Sequence, residues 1–196
     1  MPEGTFYTTN LPSGLRIAQV AGLTLSGFLA GKTFAASAAT PALLKAPAPL
    51  LAKQWKTIFD ADKLIAPVTS LFSAGVFGYI AYREDKWTLP ATLYTASASL
   101  LLSLVPYTFL LGEPINQKLE KKAQSLASVA ITDAQAESGM RKEETTHALV
   151  DKWATINLGR AVISAASTAI AIWAAVDRTE VVPATARLAT GANRLG

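Results

Sequence analysis

The sequence predicts an all-α protein: an integral membrane four-helix bundle with an amphipathic helical loop between spans 3 and 4. Three observations support that expectation. Of 196 residues, 51% are hydrophobic and only 16% charged, a balance too apolar for an ordinary water-soluble domain. The apolar residues gather into four stretches near the ~20 residues that cross a bilayer as a helix. After the third stretch, charges alternate with leucines at helical spacing, with Leu119 and Leu126 on one face.

In chain order, residues 1–14 form a short polar tail that lacks the cationic run of a signal peptide. Span 1 covers about 15–39. Its Gly27 and Gly31 make a small-xxx-small pattern that lets another helix approach closely, within the bundle or from a second copy of the chain. Lys32, a charge well inside this span, either snorkels to the interface or serves as an ion within the bundle. Residues 41–63 read as a proline- and alanine-rich linker, with Trp55 an anchor at the membrane interface.

Span 2, about 64–82, has Pro67 in its first turn, where a missing N–H matters little. The charged turn Arg83-Glu84-Asp85-Lys86 leads through Trp87 and Pro90 into span 3, about 90–111, so these two spans should be antiparallel neighbours. Pro106 removes a backbone hydrogen bond and should kink or end that helix. The helical segment outside the membrane, about 114–157, holds a polar loop at 132–139 and a charged helix from Met140. Span 4, about 158–176, precedes a Thr-, Ala- and Arg-rich tail, 177–196, expected to be mobile. Four crossings put both tails on one side, and the lysine and arginine distribution favours cytoplasmic long loops.

Composition also excludes whole classes. The net charge of +4 is spread through loops without a nucleic-acid motif, which suits anionic lipid headgroups better than nucleic acid. With zero cysteines, disulfides, thiolate metal sites, iron–sulfur clusters and cysteine nucleophiles are all ruled out. Gly22, Gly27 and Gly31 lie in an apolar helix rather than after a strand, so no nucleotide or flavin motif is present.

Chemistry concentrates between Pro106 and Arg160. Trp153, Asn157 and Arg160 fall on one helical stripe and so face one neighbour. Arg160 lies just inside an apolar span, so it must clamp free carbonyls or Glu113, snorkel, or bind something anionic. Asn116 and Asn157 either cap helices and turns or donate hydrogen bonds to a ligand oxygen. His147 is the single histidine, the side-chain type best suited to act as a base near neutral pH. Glu144 and Asp151 share its side of the helix, as a solvated charged face or as half of a metal site. His147 sits about 80° around the helix from Asn157, so a common pocket needs a bend between them.

The arrangement Thr108…Pro114-x-Asn116-x-x-Leu119, followed by Trp153-x-x-x-Asn157-x-x-Arg160 and a closing apolar helix, resembles the fungal anthrone oxygenase family. Trp55 fits the same pattern, and the resemblance spans about 15–176. It implies small four-span proteins of an intracellular, endoplasmic reticulum-type membrane that oxidise a polyketide anthrone to an anthraquinone with dioxygen. It implies no cofactor: no flavin, haem or metal. For that reaction His147 is the base because it is the single histidine, while the family pattern itself supports Asn116, Asn157 and Arg160 as donors or positioners, with Trp55 and Trp153 stacking on the ring system. Tyr107 and Thr108 join them as substrate-binding residues. A diverged oxidation or cyclisation, and a non-catalytic membrane adaptor, are the alternative readings.

Overall fold

The computed structural model describes residues 5–8, 12–84, 88–177 and 179–182. Its long helices are α1 (Ser13–Leu43), α3 (Ile65–Arg83), α4 (Leu89–Tyr107) and α6 (Thr146–Val176). Two shorter ones, α2 (Ala48–Asp62) and α5 (Glu113–Ser125), cover one end. Among the described residues three helical stretches are long and apolar enough to cross a membrane: Ala48–Arg83, Leu89–Ser125 and Thr146–Val176. The long helix α1 falls outside that set, since Gln19, Ser26, Lys32 and several glycines dilute its apolar character.

Hydrogen bonds from small side chains fix how the long helices run. Ser37 Oγ of α1 donates to the Ala154 carbonyl of α6 at 2.7 Å, and Gly27 lies against Thr168, so those two helices are antiparallel. Ser70 Oγ of α3 donates to the Leu101 carbonyl of α4 at 2.9 Å, with Phe77 against Tyr94 nearer the other end. Ser167 Oγ of α6 reaches the Ser97 carbonyl at 2.8 Å and Tyr107 Oη reaches the Ile156 carbonyl at 3.1 Å. Since α1 also packs on α3, each long helix runs antiparallel to both neighbours. Small polar residues at a helix seam allow close approach and satisfy their own hydroxyls across it. The bundle core is Leu29, Phe77, Ile80, Tyr94 and Leu101.

A second core lies under the cap, where Leu51 and Trp55 of α2, Leu119 of α5 and Leu149, Val150 and Trp153 of α6 pack together. Here the structure departs from the expected linker at 41–63. α1 runs through Pro41 to Leu43, and α2 begins after Pro47 with Pro49 in its first turn, where proline is well tolerated. Leu51, Trp55 and Phe59 recur at four-residue spacing and supply the buried stripe. Trp55 is 1% exposed, so it is a core residue of the cap and not an interfacial anchor.

Three further expectations change. Pro106 does not end its helix: α4 continues to Tyr107 and passes through a π-helical turn, Thr108–Gly112, directly into α5. Gly31 meets nothing, whereas Gly22 is the tight position, packed on Phe77 and Val76 of α3. Of the expected tails, Thr5–Thr8 (β1) and Thr179–Val182 (β2) pair antiparallel, with Thr5 opposite Val182 and Thr8 opposite Thr179. Trp87, the remainder of the charged turn and 183–196 lie outside the described residues.

Candidate functional site

A cavity of about 570 Å³ opens where the four long helices meet the α2 and α5 cap, within the roughly 300–1,000 Å³ of small-molecule sites. Its walls come from the middle of α1, the junction of α2 with α3, the end of α4 and the polar stripe of α6. Leu64, Leu71 and Phe109 line it and are also exposed, so its mouth is on the apolar outer surface of the bundle.

Thr108, Asn116, Trp153, Asn157 and Arg160 all face this cavity. The π turn brings the first two there. By inserting an extra residue into the helical ladder it rotates α5 relative to α4, a distortion often found at functional sites. α6 is continuous through the region, so the stripe of Trp153, Asn157 and Arg160 read from the sequence is a real one.

Arg160 is the electrostatic centre. Its Nη1 donates to Asn157 Oδ1 at 3.2 Å, and Asn157 Nδ2 donates back to the Trp153 carbonyl at 2.9 Å. Asn157 is thereby committed to aiming the guanidinium. The opposite side of Arg160 rests on Gly112, where any Cβ would collide with Nη2. Arg160 Nε and Asn116 Oδ1 are buried without a hydrogen-bond partner, and Arg160 has no ion pair among the described residues. Buried polar groups are normally satisfied, so two orphans in one apolar cavity fit a ligand that supplies an oxygen to Arg160 and a donor to Asn116.

The remaining nominated residues are elsewhere. Trp55 stacks on Phe59 with centroids 4.9 Å apart and meets Trp153 edge-on at 6.5 Å; it backs two of the three aromatic rings that reach the cavity, Phe109 being the third. Tyr107 points across to α6, where its hydroxyl packs on Gly159. His147 lies outside the cavity, with Nε2 2.9 Å from the Ala46 carbonyl in the α1–α2 turn. Glu144 pairs with Arg141 at 2.6 Å rather than with the histidine. Sequence reasoning missed Phe59 and Asp62, the partner of Lys32; both line the cavity, as does Glu113, which was expected only as a possible partner of Arg160.

The sequence pattern of the anthrone oxygenase family matches residues 55–170, more than half of the chain. The chain belongs to the anthrone oxygenase family. Anthrone oxygenase encC of Aspergillus fumigatus is 26% identical over 172 residues, 83% of this chain and 94% of that relative. An anthrone oxygenase of Claviceps purpurea is 30% identical over 160 residues, 78% of this chain and 83% of the relative. No solved structure matches. The anthrone oxygenase match opens at Trp55 and contains every nominated residue, while α1 with Lys32 precedes it.

Proposed function

We propose that the protein converts a polyketide anthrone and dioxygen to the anthraquinone and water, without flavin, haem or metal. The observation behind this reading is Arg160: a half-buried guanidinium without a carboxylate, held by Asn157 and Gly112 in the wall of an apolar cavity. Removing the benzylic proton of an anthrone places negative charge on its carbonyl oxygen. A preorganised cation at that oxygen stabilises the charge as it develops, most strongly where water is excluded. The enolate gives one electron to dioxygen, and the two radicals combine to form a carbon–oxygen bond. The hydroperoxide then breaks its remaining benzylic C–H bond and its O–O bond, and that hydrogen leaves with the terminal hydroxyl as water, forming the second quinone carbonyl. One dioxygen is consumed and one water released per anthrone.

Trp153 and Phe59, backed by Trp55, offer flat apolar surface for the fused rings, and Asn116 Oδ1 accepts from a ring hydroxyl. The membrane that holds the bundle is intracellular, and α1 crosses it as a fourth span, a reading taken up below. His147, bound to a backbone carbonyl outside the cavity, has no place in this scheme.

Dioxygen uptake by the purified protein in detergent, with a simple anthrone, tests the reading. Wild type should form anthraquinone and consume dioxygen in equal amounts above the spontaneous rate. Arg160→Met should lower kcat/KM by about 10²–10³, the usual cost of losing one oxyanion donor. Absence of any acceleration across several anthrones by folded wild-type protein would overturn it.

A further inference from the structure

One ion pair in the cavity wall has no part in the site described so far. Lys32 of α1 meets Asp62, the last residue of α2, with Nζ and Oδ1 2.5 Å apart and the side chains 23% and 34% exposed. Neither residue is where stability alone would put it. A lysine in the middle of a long bundle helix loses solvation, and a carboxylate at a helix C-terminus opposes the dipole. Among the described residues the other charged groups facing the cavity are Lys63, Glu113 and Arg160. Lys63 turns to Asp60, Glu113 accepts from Gln117 and Arg160 is held by Asn157. Asp62 is therefore the cavity carboxylate whose partner is itself a cavity cation.

We propose that Asp62 is the catalytic base of this cavity and that Lys32 is the cation that receives reduced dioxygen. The proposal rests on the oxygenase reading. Asp62 takes the benzylic proton, and the electron pair of that bond becomes the enolate at Arg160. Protonation removes the counter-ion of Lys32 at that moment, so its full charge faces the cavity just as an electron passes to dioxygen. Superoxide formed beside an unpaired ammonium in an apolar site is stabilised by their attraction. After the carbon–oxygen bond forms, Asp62 returns its proton to the peroxide oxygen. It then takes the second benzylic proton as the oxygen–oxygen bond breaks, and that proton leaves with hydroxide as water. The aspartate ends as it began and the pair with Lys32 re-forms.

The test uses the full chain in detergent, at neutral pH and at a pH where the anthrone ionises in solution. Asp62→Asn should lose about 10²–10⁴-fold in kcat/KM at neutral pH, the span of general-base catalysis, and recover to near wild type once the substrate arrives as its enolate. Asp62→Glu should keep part of the neutral activity. Lys32→Met should stay about 10²-fold low at both pH values, because its charge acts after deprotonation. Lys32→Met/Asp62→Asn removes the pair without stranding a charge, so it should fold and bind anthraquinone, read by quenching of tryptophan fluorescence, yet turn over slowly. Full neutral activity in Asp62→Asn overturns the proposal, as does a loss that alkaline pH leaves unchanged while product binding is intact. If wild type itself accelerates no anthrone, the oxygenase reading fails first and the pair's role with it.

Discussion

Arg160 illustrates how one side chain depends on its supports. Gly112 leaves room that no other residue would, since a Cβ there meets Arg160 Nη2 within contact distance. Gly112→Ala should therefore push the guanidinium off its line without removing it, lowering kcat/KM by about 10-fold or more, because a displacement of an ångström is costly in a preorganised site. The same substitution should leave the thermal midpoint within a few degrees, which steady-state kinetics and a melting curve together would check. His147→Ala gives the opposite pattern. It loses a hydrogen bond to the Ala46 carbonyl, worth about 0.5–1.5 kcal/mol of stability, with anthrone turnover unchanged. The sequence was informative here wherever helical periodicity alone decides, as with Trp153, Asn157 and Arg160. For His147 the scarcity of a residue type carries no information about position, and the side chain lies outside the cavity.

At the scale of elements, the approach of α4 to α6 rests on Tyr107 and Gly159. The tyrosine hydroxyl sits where a Cβ of residue 159 would be and donates to the Ile156 carbonyl. Gly159→Ala should cost about 1–3 kcal/mol through overpacking. Combined with Tyr107→Leu the two losses should not add, and a double-mutant cycle on thermal stability would read that coupling. A second junction ties α5 to α6. Glu137 is 8% exposed, pairs with Lys122 at 2.7 Å and accepts from the Thr146 amide at 2.8 Å and the Thr146 hydroxyl at 2.9 Å. Gly139, at φ 84°, turns the chain back beside it. Burial alone would raise the Glu137 carboxyl, but the Lys122 ammonium and the two Thr146 donors outweigh it and hold the group below the usual carboxylate range. A depressed carboxylate adds stability above its unfolded value, about 4.3, and loses that contribution as pH falls through the folded value. The melting temperature of wild type should therefore drop on acidification below about pH 4.3. Glu137→Gln should start lower and show a shallower acid limb. None of this was legible in the sequence, because it joins residues across a polar loop without periodicity. α2 was hidden for a different reason: the prolines before it look like linker, although Pro41 sits in the last turn of α1 and Pro47 and Pro49 sit where α2 starts.

At the scale of the molecule, the pairing of β1 with β2 constrains topology. β1 precedes α1 and β2 follows α6, so a sheet between them requires the start of α1 and the end of α6 to lie at the same end of the bundle. The three clearly apolar stretches would by themselves leave the ends on opposite faces of a membrane. A fourth crossing by α1, as proposed above, would remove the mismatch. The helix is 31 residues long, about 46 Å at 1.5 Å per residue and longer than the ~30 Å hydrocarbon core, and it lies antiparallel along α6. Its outward face is apolar where it would meet lipid, with Ile17, Val20, Phe28 and Phe34 exposed, while Gln19, Ser26 and Thr33 turn to other helices or to its own carbonyls. Hydropathy averaged along a helix misses that division, which is why α1 ranks below the three clearly apolar stretches, although the spacing of apolar residues in the sequence leads to an expectation of four. The consequence is measurable. In sealed microsomes, short epitope tags fused to the two ends should be protected from protease together or digested together. Protection of one with digestion of the other would mean an odd number of crossings, and would remove α1 and Lys32 from the membrane wall of the cavity.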